Sequence, residues 1–250
     1  MRKTFVLALA AAAILPAALI ATPAVAQDAP ASPITVNGGA TLVSDYRFRG
    51  ISQSDRRIAL QGSLSISHES GPYVTVWGSS IDDYVASGAD QEIDFIVGYK
   101  KTIGGTTIDG GVLYYYYPGS GGANSDFVEP YLAVSHTFGP VTGKVTAAYA
   151  PKQKALTIGA GKEDNLYLAA DLSAGIPSTP ITLSAHFGHS FGPSYLTIGD
   201  EYSDWNVGAA YTWKNLSFGV QYVDTDGRFI TPKGRNASKA GVVASVGVAF

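Results

Sequence analysis

The chain has 250 residues, a formal net charge of -3, no cysteine and one methionine. Charged residues make up 15% of it, against about 25% in an average soluble domain, and its 29 glycines exceed the usual share of about 7%. No disulfide or thiol chemistry is possible, and the slightly acidic balance lacks the basic patch of a nucleic-acid binder.

Residues 1–26 read as a secretory leader. Arg2 and Lys3 form the positive start, and Phe5 to Ile20 is an apolar stretch. Ala24-Val25-Ala26 is an A-x-A cleavage site ahead of Gln27-Asp28. Cleavage removes two basic residues and no acidic one, so the net charge becomes -5. No later segment approaches the ~18 consecutive apolar residues of a membrane helix. A short N-terminal segment, 27–33, leads into a region at 34–250 that alternates with period two.

Twelve strands are expected, at about 34–49, 56–68, 72–82, 90–101, 106–117, 126–138, 140–150, 164–175, 180–189, 202–213, 215–225 and 239–250. In the first, Ile34, Val36, Ala40, Leu42, Tyr46 and Phe48 share one face, and Asp45, Arg47 and Arg49 the other. The second puts Arg57 on the side of Ala59, Gln61 and Ser63. In the third, Tyr73, Trp77 and Ile81 compete with Val74 and Val76 for the outer face. The fourth sets Ile93, Phe95, Val97 and Tyr99 against Glu92, Asp94 and Lys100. Asp109, Glu129, Lys144 and Asp171 fall on the inner face of the next four strands. The tenth and eleventh carry Trp205, Val207, Tyr211 and Trp213, then Leu216, Phe218, Val220 and Tyr222. The last alternates up to Phe250.

One face of these strands is apolar and ends in Tyr or Trp. The other is Gly, Ala, Ser, Thr and Asn with isolated charges. Short connections rich in Gly, Pro and Asn alternate with longer polar ones, and both ends of the strand series lie on the short-turn side. Lipid cannot hydrogen-bond a backbone, so a membrane sheet must close, and closure removes free edges. The pattern predicts an all-β fold: a closed, antiparallel, up-and-down transmembrane β-barrel of about 12 strands in a Gram-negative outer membrane.

Val43-Ser44-Asp45-Tyr46-Arg47-Phe48-Arg49-Gly50-Ile51-Ser52-Gln53-Ser54 resembles the opening motif of the TorF-type porin family of proteobacteria. The resemblance implies an exported outer-membrane barrel. It supplies no substrate and no catalytic residue. Phe250 after alternating apolar residues looks like the C-terminal signal read by the barrel-assembly machinery.

Each charge is expected to face the lumen, since one on the lipid face costs about 2–4 kcal/mol near mid-bilayer. Arg47, Arg49, Arg57, Glu92, Asp94 and Glu129 should share a height near the long loops. There they form either a charged constriction that filters solutes or salt bridges that seal a narrow barrel. Twelve strands lie between a filled interior and an open channel. His186 and His189, three apart on a strand, fall on opposite faces, so no shared metal site is expected. Ser184 and His186 share a face, where two polar lumen residues are a simpler reading than part of a hydrolase pair. No nucleotide, metalloprotease or hydrolase motif is present. The expectation is a non-enzymatic channel without cofactor, passing small polar or ionic solutes. The alternative is a closed structural or adhesive barrel. Its partners are outer-membrane lipid and the assembly machinery, with no nucleic acid.

Overall fold

The computed structural model describes residues 32–197 and 199–250. The leader expected at 1–26 lies outside the described residues. The strands are β1 (Ile34–Val43), β2 (Arg47–Phe48), β3 (Ile51–Ser52), β4 (Ala59–His68), β5 (Pro72–Ser80), β6 (Gln91–Ile103), β7 (Thr106–Tyr116), β8 (Phe127–Phe138), β9 (Val141–Ala150), β10 (Asn165–Gly175), β11 (Ile181–Phe191), β12 (Tyr202–Trp213), β13 (Leu216–Thr225) and β14 (Gly241–Ala249). Strands β1 and β4–β14 close into a twelve-stranded antiparallel barrel in which each strand pairs with its neighbours in sequence. The two-residue strands β2 and β3 pair only with each other. Ring closure comes from β1 against β14, in register from Gly39↔Ala249 to Val43↔Ser245. Gly38 and Phe250 extend the seam, each N–H donating to the other's carbonyl at 2.9 Å.

Alternation explains why these segments choose this fold. The outward set, including Leu60, Val97, Leu132, Val145, Val207 and Val242, is exposed around the whole ring. A continuous apolar belt of this kind is unfavourable in water and suits lipid. Tyr99, Tyr114, Tyr116, Tyr149, Trp213 and Tyr222 lie on the same outer face near strand ends, where amphipathic rings meet the membrane interface. Among the described residues no helix is long and apolar enough to cross a membrane. The hairpins at the end that holds Ile34 and Phe250 are short, the longest being 176–180. Gly104 and Gly139, at φ of 60° and 59°, supply the left-handed positions of two of them. The opposite end carries the long connections 44–58, 81–90, 117–126, 151–164, 192–201 and 226–240.

Parity holds on most strands, and β5 resolves with Val74 and Val76 outward and Tyr73 and Trp77 buried inside. The first two strands are shorter than the alternation suggests. β1 stops at Val43 and β4 starts at Ala59, and those two residues pair across the ladder. Ten residues already suffice to cross the hydrocarbon core when tilted. Beyond them, Asp45 accepts hydrogen bonds from Ser52 Oγ at 2.6 Å, Ser54 Oγ at 3.3 Å and Arg47 Nε at 2.6 Å. This local polar knot folds 44–58 back on itself instead of extending the strands. Tyr46 and Phe48, expected on the lipid face, consequently turn into the lumen.

Candidate functional site

The infolded segment ends in a two-residue turn. Arg49 and Gly50 have φ of 46° and 79°. Positive φ at both central positions is the type I′ hairpin geometry, closed by Arg47↔Ser52 and Phe48↔Ile51. A Cβ added at Gly50 would lie 2.9 Å from the Cβ atoms of both Asp204 and Thr225. The tip therefore rests directly on the wall formed by β12 and β13.

From that tip the Arg49 side chain spans the rest of the lumen. Counted round the ring in either direction, β9 lies farthest from β1. Arg49 reaches the strands flanking β9. Its Nη2 donates to Glu129 Oε1 at 2.6 Å and its Nη1 to Asn165 Oδ1 at 2.8 Å. The guanidinium lies 4.0 Å over the Tyr167 ring and 4.8 Å from that of Phe48. Nearer the start of the hairpin, the Tyr46 hydroxyl donates to Glu92 at 2.9 Å, and its ring meets Trp77 edge-on. Arg47 bonds Asp45 and the carbonyls of Gly50, Ala237 and Lys239. Tyr46, Trp77, Leu113, Tyr115, Phe127 and Leu156 pack into one buried cluster, so the long-loop end is filled by side chains.

Two further loops clamp the hairpin from above. Ser52 N–H donates to Ala237 O at 2.9 Å, Asp82 N–H donates to Gln53 O at 2.7 Å, and the Tyr84 hydroxyl donates to Ser52 O. Ion pairs form the rim. Lys233 Nζ contacts Asp82 at 2.9 Å and Asp83 at 3.1 Å, Arg235 lies 3.5 Å from Asp55, and Arg57 pairs with Asp82. Burial alone would raise the Asp82 pKa. The hydrogen bonds from Lys233, and the charges of Lys233 and Arg57, outweigh that and hold it below the usual carboxylate range. Hydrogen bonds to Asp82 and Asp83, and their charges, raise Lys233.

Of the six charges expected at one height, Arg49, Glu92, Asp94 and Glu129 come together inside the long-loop end, buried. Arg47 joins them, held by its own loop and by 226–240. Arg57 does not. Its side chain is 58% exposed at the rim, because β4 begins two residues later and leaves it in the turn. Asn165 and Tyr167 complete the site. Strand parity alone could have put both inward beside Asp171.

Toward the short turns the lumen has two unlike walls. One carries charge. Lys100 sits opposite Asp109, and Lys144 pairs with Asp171 at 3.0 Å. His186 bridges Asp171 at 2.7 Å and Asp204 at 3.2 Å. Tyr167 donates to Asp204 at 3.0 Å. The other wall, across β13, β14, β1 and β4, presents neutral side chains such as Gln221, Ser245, Asn37, Ser63 and Ser65, all partly exposed. His189 falls on the outer face against Ser203, apart from His186. Among the described residues no group of three or more His, Cys, Asp or Glu could hold a metal ion.

Solved structures share this barrel. The NanC porin superposes with a TM-score of 0.57 at 13% identity, covering 86% of this chain and 99% of that one. The KdgM porin, solved in complex with disordered oligogalacturonate, gives 0.55 at 10%, with 86% and 97% covered. An outer membrane channel from Pseudomonas putida F1 gives 0.52 at 12%, with 91% and 100% covered. Such low identities establish the fold alone. A comparison with the curated proteins found no match. Residues 27–250 match the model of the family described as "Bacterial protein of unknown function (Gcw_chp)", and the chain belongs to that family.

Proposed function

We propose that the protein is an outer-membrane channel for passive diffusion of small polar or ionic solutes, closed at its long-loop end by the 44–58 hairpin. One observation carries this reading. The obstruction is no part of the wall: Val43 and Ala59 are already ladder partners, so the barrel is complete without the hairpin. The space below is lined by hydrophilic groups, as a water-filled path requires. The TorF-type resemblance of residues 43–54 supports the same reading. Carboxylates outnumber fixed cations on the wall: Glu92, Asp94, Asp109, Glu129, Asp171 and Asp204 against Lys100 and Lys144. A polyanion such as the one bound by the KdgM porin is therefore a poor match, and small cations or zwitterions suit the lumen better.

Export by the leader at 1–26 places the mature chain in the outer membrane from near Gln27, where the family match also begins. Phe250 serves as the mark read by the assembly machinery. The burial of Tyr46, Arg49 and Leu156 favours a second reading, a sealed structural barrel.

Joining Val43 to Ala59 through Asn-Gly, a turn that fits a ladder end, separates the two. The wild type should show small or infrequent openings in a planar bilayer, and the shortened variant steady, larger currents. A correctly folded variant without current would establish the sealed barrel.

A further inference from the structure

Arg49 sits where a glycine or asparagine would be expected. The first central position of a type I′ turn requires positive φ, which a residue with a Cβ adopts at a cost. Glycine alone would make the same turn without strain. The strain is offset by what the arginine side chain reaches.

It reaches a receptor that the barrel wall holds by itself. Glu129 Oε1 takes the guanidinium, while its Oε2 accepts the Tyr115 hydroxyl at 3.2 Å. Asn165 turns its Oδ1 to Arg49 because its Nδ2 donates to Phe191 O at 2.8 Å. The Tyr167 ring offers its face, fixed by its hydroxyl on Asp204 and its contact with His186. Glu129, Asn165 and Tyr167 are all buried, and none of their supports comes from the hairpin. One carboxylate, one amide oxygen and one aromatic face in a low-dielectric site form a receptor for a planar delocalised cation. The tethered arginine fills it incompletely: its Nε is buried without a hydrogen-bond partner.

We propose that Glu129, Asn165 and Tyr167 form a guanidinium-recognising subsite in the lumen wall, which Arg49 occupies as a tethered ligand. A solute bearing a monosubstituted guanidinium group enters the same subsite, displaces Arg49 and releases the hairpin from the far wall. The release rests on the channel reading above; the subsite does not. Solute and arginine exchange one set of hydrogen bonds for another, so the exchange needs no other energy source. A free ligand can also use the N–H edge that the tether leaves unpaired.

Binding and conduction are tested apart. In detergent, Arg49→Ala empties the subsite. Methylguanidinium at millimolar concentration should raise that variant's melting temperature by about 2–4 °C. N-methylurea, neutral and of the same shape, should not, nor should sodium at equal ionic strength. Arg49→Ala combined with Glu129→Gln should lose the effect. In the wild type, methylguanidinium should increase hydrogen exchange in residues 44–58, a readout that survives if Arg49→Ala fails to fold. In planar bilayers it should raise the wild-type open fraction several-fold. Stabilisation of Arg49→Ala by N-methylurea as much as by methylguanidinium overturns the subsite, and unchanged wild-type exchange overturns the displacement of Arg49. Binding without current in any form keeps the subsite and overturns the channel. Current without binding does the reverse.

Discussion

Arg49 and Gly50 show how two residues decide whether the lumen is crossed. Gly50 needs both its positive φ and its missing side chain, since a Cβ there would press on Asp204 and Thr225 at 2.9 Å. Gly50→Ala should loosen the hairpin by about 1–2 kcal/mol from backbone strain, with the contact adding to it. Faster hydrogen exchange confined to 44–58, with the barrel's melting temperature unchanged, is the expected result. In the next long loop, 81–90, Asp82 governs the rim by charge. Its pKa lies below the ordinary value, so its ion pairs contribute fully above the unfolded pKa of about 4 and are lost as pH falls through the lowered value. Exchange in 226–240, corrected for intrinsic rate, should therefore stay constant from pH 7 to 5 and rise toward pH 3. Asp82→Asn should show the raised exchange already at pH 7. A wild-type rise centred near pH 6 would mean that a histidine, and not Asp82, controls the rim.

Among the elements, the β1–β14 seam and the hairpin carry most of the consequence. β1 pairs with β4 from Ile34↔His68 to Val43↔Ala59, but with β14 only from Gly39↔Ala249 to Val43↔Ser245. The two hydrogen bonds between Gly38 and Phe250 therefore form a large share of a short closure. Deleting Phe250 should lower the yield of heat-modifiable barrel more than shortening any long loop does, and Phe250→Asp should act in the same direction. Normal yield from both variants would remove the assembly role. Most of the strands were legible because a lipid-facing wall permits only one alternation. The pairs Lys100–Asp109 and Lys144–Asp171 could be anticipated from parity together with tight turns of known position. The hairpin was harder to read. Asp45, Arg47 and Arg49 continue the period of β1 beyond the length that spans a bilayer, so local alternation and global register disagree there. Two signals stood against the long strand: the extra length itself, and Arg49-Gly50 as a two-residue turn between short alternating stubs. Asn165 carries no signal of its role, because its partner Arg49 comes from the infolded hairpin, and no pattern along one strand encodes a contact across a lumen.

For the molecule as a whole, charge is distributed unevenly about the barrel axis, and the hairpin makes that asymmetry tolerable. Glu92, Asp94 and Glu129 stand inside the long-loop end, where unpaired buried carboxylates are unfavourable. Arg49 neutralises Glu129 at 2.6 Å, and Glu92 has the Tyr46 hydroxyl at 2.9 Å. Asp94 Oδ1 is buried with no hydrogen-bond partner. Replacing 44–58 by Asn-Gly removes Arg47, Arg49 and the Tyr46 hydroxyl together. It leaves three carboxylates facing an enlarged, wetter opening. In a salt gradient this variant should prefer cations, because only negative charge remains at the constriction. Adding Glu92→Gln, Asp94→Asn and Glu129→Gln should bring the reversal potential close to zero. The difference between the two forms should shrink from 0.1 M to 1 M salt, as the Debye length falls from about 10 Å to about 3 Å. If the shortened barrel conducts and its reversal potential ignores the triple neutralisation, selectivity lies lower in the lumen. The next variants would then be Asp109 and Asp171, the carboxylates of the charged wall nearer the short turns.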